Sequence, residues 1–164
     1  MELEISLLAN RFGGPSFDPH VTIVGGVSFD SVHDAKKFVN LLRDELNGFG
    51  AVEAKFEPKA ENYDVWSQAL VVKMEASQKF IYLCQTVRKV LNMDNSTSSL
   101  FPAPVNAPHL SLFYGADNAP NADALFSSDM WTIPAIDFTS DTLALWKQRV
   151  STSLVSINRF NAIL

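Results

Sequence analysis

One pattern occurs twice in this chain and limits what it can fold into. DPHVTIVGG at residues 18–26 and APHLSLFYG at residues 107–115 each read Pro-His-apolar-(Thr or Ser)-apolar, and both run on to glycine. In an extended strand, residues two apart point to one face. His20 and Thr22 therefore share a face, as do His109 and Ser111, while Val21, Ile23, Leu110 and Leu112 point into the core. An imidazole or hydroxyl without a partner in an apolar interior costs a few kcal/mol, so both strands are expected to turn their polar face toward a common cleft. A single His-x-Ser/Thr is common by chance. Two copies, each preceded by proline and flanked by apolar residues, are rarer by several orders of magnitude. The third histidine, His33, sits in SVHDAKK at the first turn of a helix with no partner hydroxyl and is expected at the solvated surface.

At 164 residues, 47% of them apolar, the chain is long enough to form one compact domain over residues 1–164. Its formal charge of −5 argues against a long nucleic acid as partner, because the phosphate backbone is repelled, but leaves room for a small anion in a local pocket. The single cysteine, Cys84, excludes an internal disulfide and a Cys-rich metal site. Its surroundings, FIYLCQTVRKVL, put it on the apolar face of a helix, buried and inert. MELEISLLANRF carries acids where a secretory signal needs bases, and no apolar run reaches the length of a membrane span. A soluble cytoplasmic protein with no membrane partner is the expectation.

Strand and helix signals alternate along the chain without a linker. Val21–Val27 reads as a strand closed by Gly25 and Gly26. Asp30 or Ser31 caps a helix whose apolar positions Val32, Ala35, Val39, Leu42 and Leu46 recur at three- and four-residue steps until Gly48. Residues 51–58 and 67–75 read as two strands of a hairpin around AENYD. A second helix carries the stripe Phe80, Leu83, Cys84, Val87 and Leu91, and NMDNSTSS ends it. FPAPVNAP is too proline-rich for regular structure and leads into a strand at His109–Tyr114. A short helix near Ala122–Phe126 and two strands, Ile133–Lys147 and Ser151–Phe160, complete the reading. The fold class is α+β.

Histidine changes charge near neutral pH, so one neutral ring can take a proton while a second, protonated ring gives one up. The hydroxyls do not stand in a G-x-S-x-G setting or beside a base backed by an acid, which sets acyl transfer aside. They suit a role as donors to the nonbridging oxygens of a phosphate held between the rings. Metal binding is the rival account of paired histidines; no H-E-x-x-H, no D-x-D and no second cysteine supplies further ligands, so neither a metal nor another cofactor is expected.

The tandem HVTI and HLSL, separated by a helix, a hairpin and another helix, resemble the two signature tetrads of the 2H phosphoesterases. The longer stretches FGGPSFDPHVTIVGG and APHLSLFYG are similar to the cyclic phosphodiesterase branch of that superfamily. The likeness in element order runs over most of the chain, and likeness at the level of motifs is confined to residues 12–26 and 107–115. The resemblance implies a bilobal, LigT-like fold in which two antiparallel sheets, related by a pseudo-twofold, line a central cleft with helices on the outer faces. It implies metal-independent hydrolysis of ADP-ribose 1″,2″-cyclic phosphate or a nucleoside 2′,3′-cyclic phosphate. Carried over, His20 and His109 are the general acid and base, with the orientation of the phosphate deciding between them and a slight preference for His109 as base. Thr22 and Ser111 bind phosphoryl oxygens.

The aromatic after the second tetrad, which lines the pocket in this branch, falls on Tyr114. Strict alternation sets Tyr114 on the face opposite His109, so this role requires a twist or bulge at the strand end. Trp66 and Gln68 lie where relatives have an aromatic-rich strand start, and Trp66 either stacks on a base or packs in the core. Relatives begin with a strand ahead of their first helix. Here Leu3, Ile5 and Leu7 alternate like a strand, but the order helix-then-FGGP favours a helix, and the family's first strand is then missing. A monomer is expected, with an open sheet edge as a route to a dimer. The alternatives are a phosphodiesterase of the same superfamily acting on 2′,5′-oligonucleotides or RNA ends, a nucleotide-binding module without turnover, and an interaction domain whose two histidines lie too far apart to touch one phosphate.

Overall fold

A computed structural model describes residues 2–101, 103–127, 137–140, 142–148 and 157–163. The chain opens with helix α1 (Glu2–Phe12), which buries Ile5, Leu8 and Ala9. Helix order therefore prevails over the strand-like alternation of Leu3, Ile5 and Leu7. The helix stops where Gly13 takes a φ of 76°, and the amides of Gly13 and Gly14 both donate to the Ala9 carbonyl. A left-handed residue at this place closes a helix end at little cost only when it is glycine.

Helix α2 (Val32–Glu45) starts at Ser31, whose hydroxyl accepts from the Asp34 amide at 3.1 Å. Helix α3 (Gln78–Val90) starts the same way at Ser77, which accepts from the Phe80 amide at 3.2 Å. Each cap satisfies one of the amides that a first helical turn leaves unpaired. Between these helices lie strand β1 (Val52–Glu61), a 3₁₀ turn at Trp66–Gln68 and strand β2 (Leu70–Met74). There follow a short helix α4 (Thr97–Leu100), strand β3 (His109–Phe113), helix α5 (Ala122–Ser127), and strands β4 (Asp137–Ser140), β5 (Thr142–Gln148) and β6 (Ile157–Ile163).

Strands β3, β2, β1 and β4 form one antiparallel sheet in that order, and β5 pairs with β6. Apolar side chains gather in two clusters. One is built from Phe38, Leu42 and Leu46 on one side and Phe80, Leu83, Cys84 and Val87 on the other, with Val21, Ile23, Leu143 and Leu145 packed against it. The other covers one face of the main sheet with Leu8, Ala60, Leu70, Val72, Leu110, Leu112 and Phe113. The apolar positions of the two tetrads thus divide, Val21 and Ile23 going to the first cluster and Leu110 and Leu112 to the second. Cys84 is fully buried, and burial pushes its thiol up to about 12, which leaves it inert at neutral pH.

Three elements differ from expectation. Residues 21–27 do not form a continuous strand: Val21 alone makes a ladder contact, an isolated antiparallel bridge to Leu110. Alternation marks which residues can pair, but a strand exists only where a neighbour supplies the matching backbone groups. The segment 67–75 is extended only from Leu70, because Trp66–Gln68 turns back on itself with the Gln68 amide bonded to the Val65 carbonyl. Finally, the single strand expected over 133–147 is two strands in different sheets, β4 on β1 and β5 on β6, while residues 128–136 lie outside the described set.

Candidate active site

The bridge between Val21 and Leu110 fixes the site. In an antiparallel pair, stepping back along one strand means stepping forward along the other, and residues directly opposite share a face. The bridge brings the segment that carries His20 and Thr22 alongside the segment that carries His109 and Ser111. Both imidazoles and both hydroxyls therefore lie on adjacent backbone segments, and His20 is close enough to act electrostatically on His109.

The proline in each motif has a visible counterpart. The Nδ1 atom of His20 lies 2.7 Å from the Asp18 carbonyl oxygen, and that of His109 lies 3.1 Å from the Ala107 carbonyl oxygen. In each case the carbonyl belongs to the residue before proline, whose backbone is restricted to extended conformations. A carbonyl only accepts, so each ring must carry its hydrogen on Nδ1 and present Nε2 to the cleft. The two half-sites orient their rings by the same device.

Their surroundings differ. His109 is half-buried, and burial lowers its pKa below the ordinary 6.5, helped by the nearby His20 and opposed by the Ala107 carbonyl. Ser111 is buried and donates to the Ser67 carbonyl at 2.9 Å, whereas Thr22 is exposed. His33 is exposed on α2 and takes no part.

Tyr114 reaches the cleft by way of a bulge. Leu70 pairs with Phe113 but Val71 pairs with Ser111, so β3 has one residue more than β2 over this stretch. The extra residue reverses the alternation. Leu110, Leu112 and Phe113 all join the same core cluster, and Tyr114 returns to the face of Ser111 and His109. Its hydroxyl lies 3.4 Å from His20 Nε2, and burial raises the phenol pKa so that it stays protonated. The Tyr114 ring stacks on Phe17 at 4.0 Å between centroids, and Trp66 sits 5.1 Å from it at a tilt. Trp66 remains 48% exposed, which leaves a free ring surface beside the cleft. The Gly115 amide donates to the Trp66 carbonyl at 2.8 Å, tying the turn to the end of β3.

Pattern reading missed Phe17 and Gly14. A Cβ on Gly14 would come within 2.5 Å of the Phe113 ring and 3.0 Å of the Tyr114 carbonyl oxygen, so only glycine lets the chain after α1 cross the end of β3 this closely. FGGPSF contains both residues, but nothing in their spacing says what they will meet. A cavity of about 440 Å³ lies elsewhere, between Gly26–Phe29, α2 and the end of α3, and none of the paired motif side chains lines it. Among the described residues, no three of His, Cys, Asp and Glu gather as a metal-binding group.

A family model, that of the 2′-5′ RNA ligase superfamily, matches residues 14–152 and so spans both tetrads. The chain belongs to this superfamily, the 2H phosphoesterases. No curated protein matches the chain at a significant level. Membership in the 2H phosphoesterases makes the protein an enzyme of phosphodiesterase type, acting on a phosphodiester or cyclic phosphate. The match begins at Gly14, the residue that the approach to Phe113 requires to be small. Among the described residues no helix is long and apolar enough to cross a membrane.

Proposed function

We propose that this 2H phosphoesterase is a cyclic phosphodiesterase that opens a small cyclic phosphate, a nucleoside 2′,3′-cyclic phosphate or ADP-ribose 1″,2″-cyclic phosphate, to a phosphomonoester without a metal. The observation that carries the reading is the Val21–Leu110 bridge, which brings the two histidine-bearing segments side by side, each ring held at Nδ1 by a backbone carbonyl. The division of the tetrads between two apolar clusters supports a single domain of two lobes related by a pseudo-twofold.

His109 is the base, since its lowered pKa leaves the ring neutral at pH 7. It takes a proton from water as the water oxygen attacks phosphorus. The bond from phosphorus to one ribose oxygen breaks in line, and that oxygen receives the proton held on His20 Nε2. One water is added, and a phosphomonoester and a free hydroxyl result. Thr22 and Ser111 donate to the nonbridging oxygens, where charge gathers in the transition state. Tyr114 closes the pocket beside His20, and Trp66 offers its free surface to a base.

The test is ring opening of a nucleoside 2′,3′-cyclic phosphate in the presence of chelator, followed by chromatography. His20→Ala and His109→Ala should each abolish it, and full activity in either variant rejects the mechanism. Calorimetry run alongside separates a binding module, which would hold the nucleotide tightly and leave the ring closed. The family's description favours one second reading, in which the bond acted on lies in a 2′,5′-linked oligonucleotide or at an RNA end. Including those substrates in the same assay decides between the two.

A further inference from the structure

The sheet face that carries His109 and Ser111 has two unlike ends. At one end, beyond the β3 bulge, are Tyr114 and the half-exposed Trp66. At the other, Lys73 of β2 is the cross-strand partner of His109. Val72 and Leu110, the next pair in register, both belong to the core cluster, so Lys73 and His109 face the opposite way, into the cleft. The Lys73 ammonium lies 2.8 Å from a Glu61 carboxylate oxygen, which also accepts from the Tyr63 hydroxyl. Lys73 sits 5.8 Å from the centroid of the Tyr63 ring, and Lys59 acts on Glu61 as well. Lys73, Lys59 and Glu61 together carry a formal charge of about +1. A lysine has three donors, so its bonds to Glu61 and Tyr63 leave a third for a ligand.

Ribose chemistry relates these ends. A 2′,3′-cyclic phosphate has its base on C1′ and its 5′ carbon on C4′, on either side of the edge that carries phosphorus. If phosphorus lies between the two histidines and the base lies on Trp66, the 5′ carbon points toward Lys73. One and a half strand spacings, about 7 Å, separate the midline between His20 and His109 from the β2 backbone. That is the reach of a phosphoryl group attached through the 5′ oxygen, and the Lys73 side chain, which leans toward Glu61 on β1, turns back across β2 to meet it.

We infer that the Lys73 end of the cleft binds a phosphoryl group on the 5′ side of the substrate, so that the enzyme prefers a cyclic phosphate carrying this second phosphate. The inference rests on the cyclic phosphodiesterase reading given above. The second phosphate is a monoester in a 5′-phosphorylated mononucleotide and a diester in a short RNA with a cyclic end.

The experiment compares kcat/KM for adenosine 2′,3′-cyclic phosphate, its 5′-phosphorylated form and a dinucleotide ending in a 2′,3′-cyclic phosphate. The wild-type protein should favour at least one of the 5′-substituted substrates about tenfold over the plain nucleoside, the size of one charge-assisted hydrogen bond. Lys73→Met should bring that ratio close to one. Glu61→Gln should raise it above wild type, because the lysine loses a competing carboxylate; a variant merely damaged in folding lowers all rates together and leaves the ratio alone. Whichever 5′ form is favoured supports the inference and tells a mononucleotide from an RNA end. A wild-type ratio near one, or a ratio unchanged in both variants, overturns the inference while the proposed function stands. If the wild type opens none of the three rings, the proposed function fails and this inference falls with it.

Discussion

Val21 and Leu110 hold equivalent places in the two tetrads and face each other across the bridge, yet Leu110 is 2% exposed inside a four-stranded sheet while Val21 is only half-buried and has a single ladder contact. The same contrast runs through their neighbours, with Ser111 buried and bonded, Thr22 exposed, and His109 shifted by burial. Two pentapeptides of one pattern are therefore chemically unlike because of what surrounds them. Acid–base catalysis needs such inequality, since one ring must arrive neutral and the other charged.

Several measurements can break this contrast or sharpen it. Alanine in place of either histidine should reduce turnover by about 10³-fold or more; a large loss in only one of them would mean that the half-sites do not act as a pair. For stability, Leu110→Ala should cost about 3 kcal/mol and Val21→Ala about 1 kcal/mol by urea denaturation. Equal losses would show that the first tetrad is held as firmly as the second. Thr22→Ala and Ser111→Ala should each lower kcat/KM about tenfold, but only Ser111→Ala should also destabilise the fold, by about 1 kcal/mol, because it strips the Ser67 carbonyl of its donor.

Titration gives a fourth measurement. The folded pKa of His109 lies below 6.5, so the unfolded chain binds its proton more readily. The stabilisation is then complete above pH 6.5 and is lost as pH falls through the folded value. His109→Asn should flatten this part of the stability–pH curve, and the acid limb of the wild-type kcat/KM profile should have its midpoint below 6.5. The smallest effect is expected of Tyr114→Phe. Its hydroxyl contact to His20 is long, at 3.4 Å, and its ring stack survives the change, so kcat should fall by about threefold.

What the sequence made legible was whatever depends on local pattern. Helices α2 and α3 follow from apolar spacing and their serine caps, and the two histidines stand out because their motif repeats. What escaped depends on partners distant in the chain. Alternation at 21–27 promised a strand, but whether Val24 or Val27 pairs is decided by which backbone lies alongside. The face of Tyr114 turned on one extra residue opposite β2, and no property of Leu112 itself announces a bulge. Lys73, Glu61 and Tyr63 belong to the β1–β2 hairpin, and nothing in their spacing says that they meet. Their meeting beside His109 is a matter of register, which exists only once the strands are paired.

A hydroxyl has one hydrogen, and Ser111 spends its own on Ser67. It cannot serve that carbonyl and a phosphoryl oxygen at once. On the proposed reading, filling the site is therefore an exchange rather than a simple addition: an anion that gains this donor releases the carbonyl next to Trp66 to find water or another partner. The empty and filled sites would then be two differently wired states, with the turn bearing Trp66 joined to the difference by a single proton.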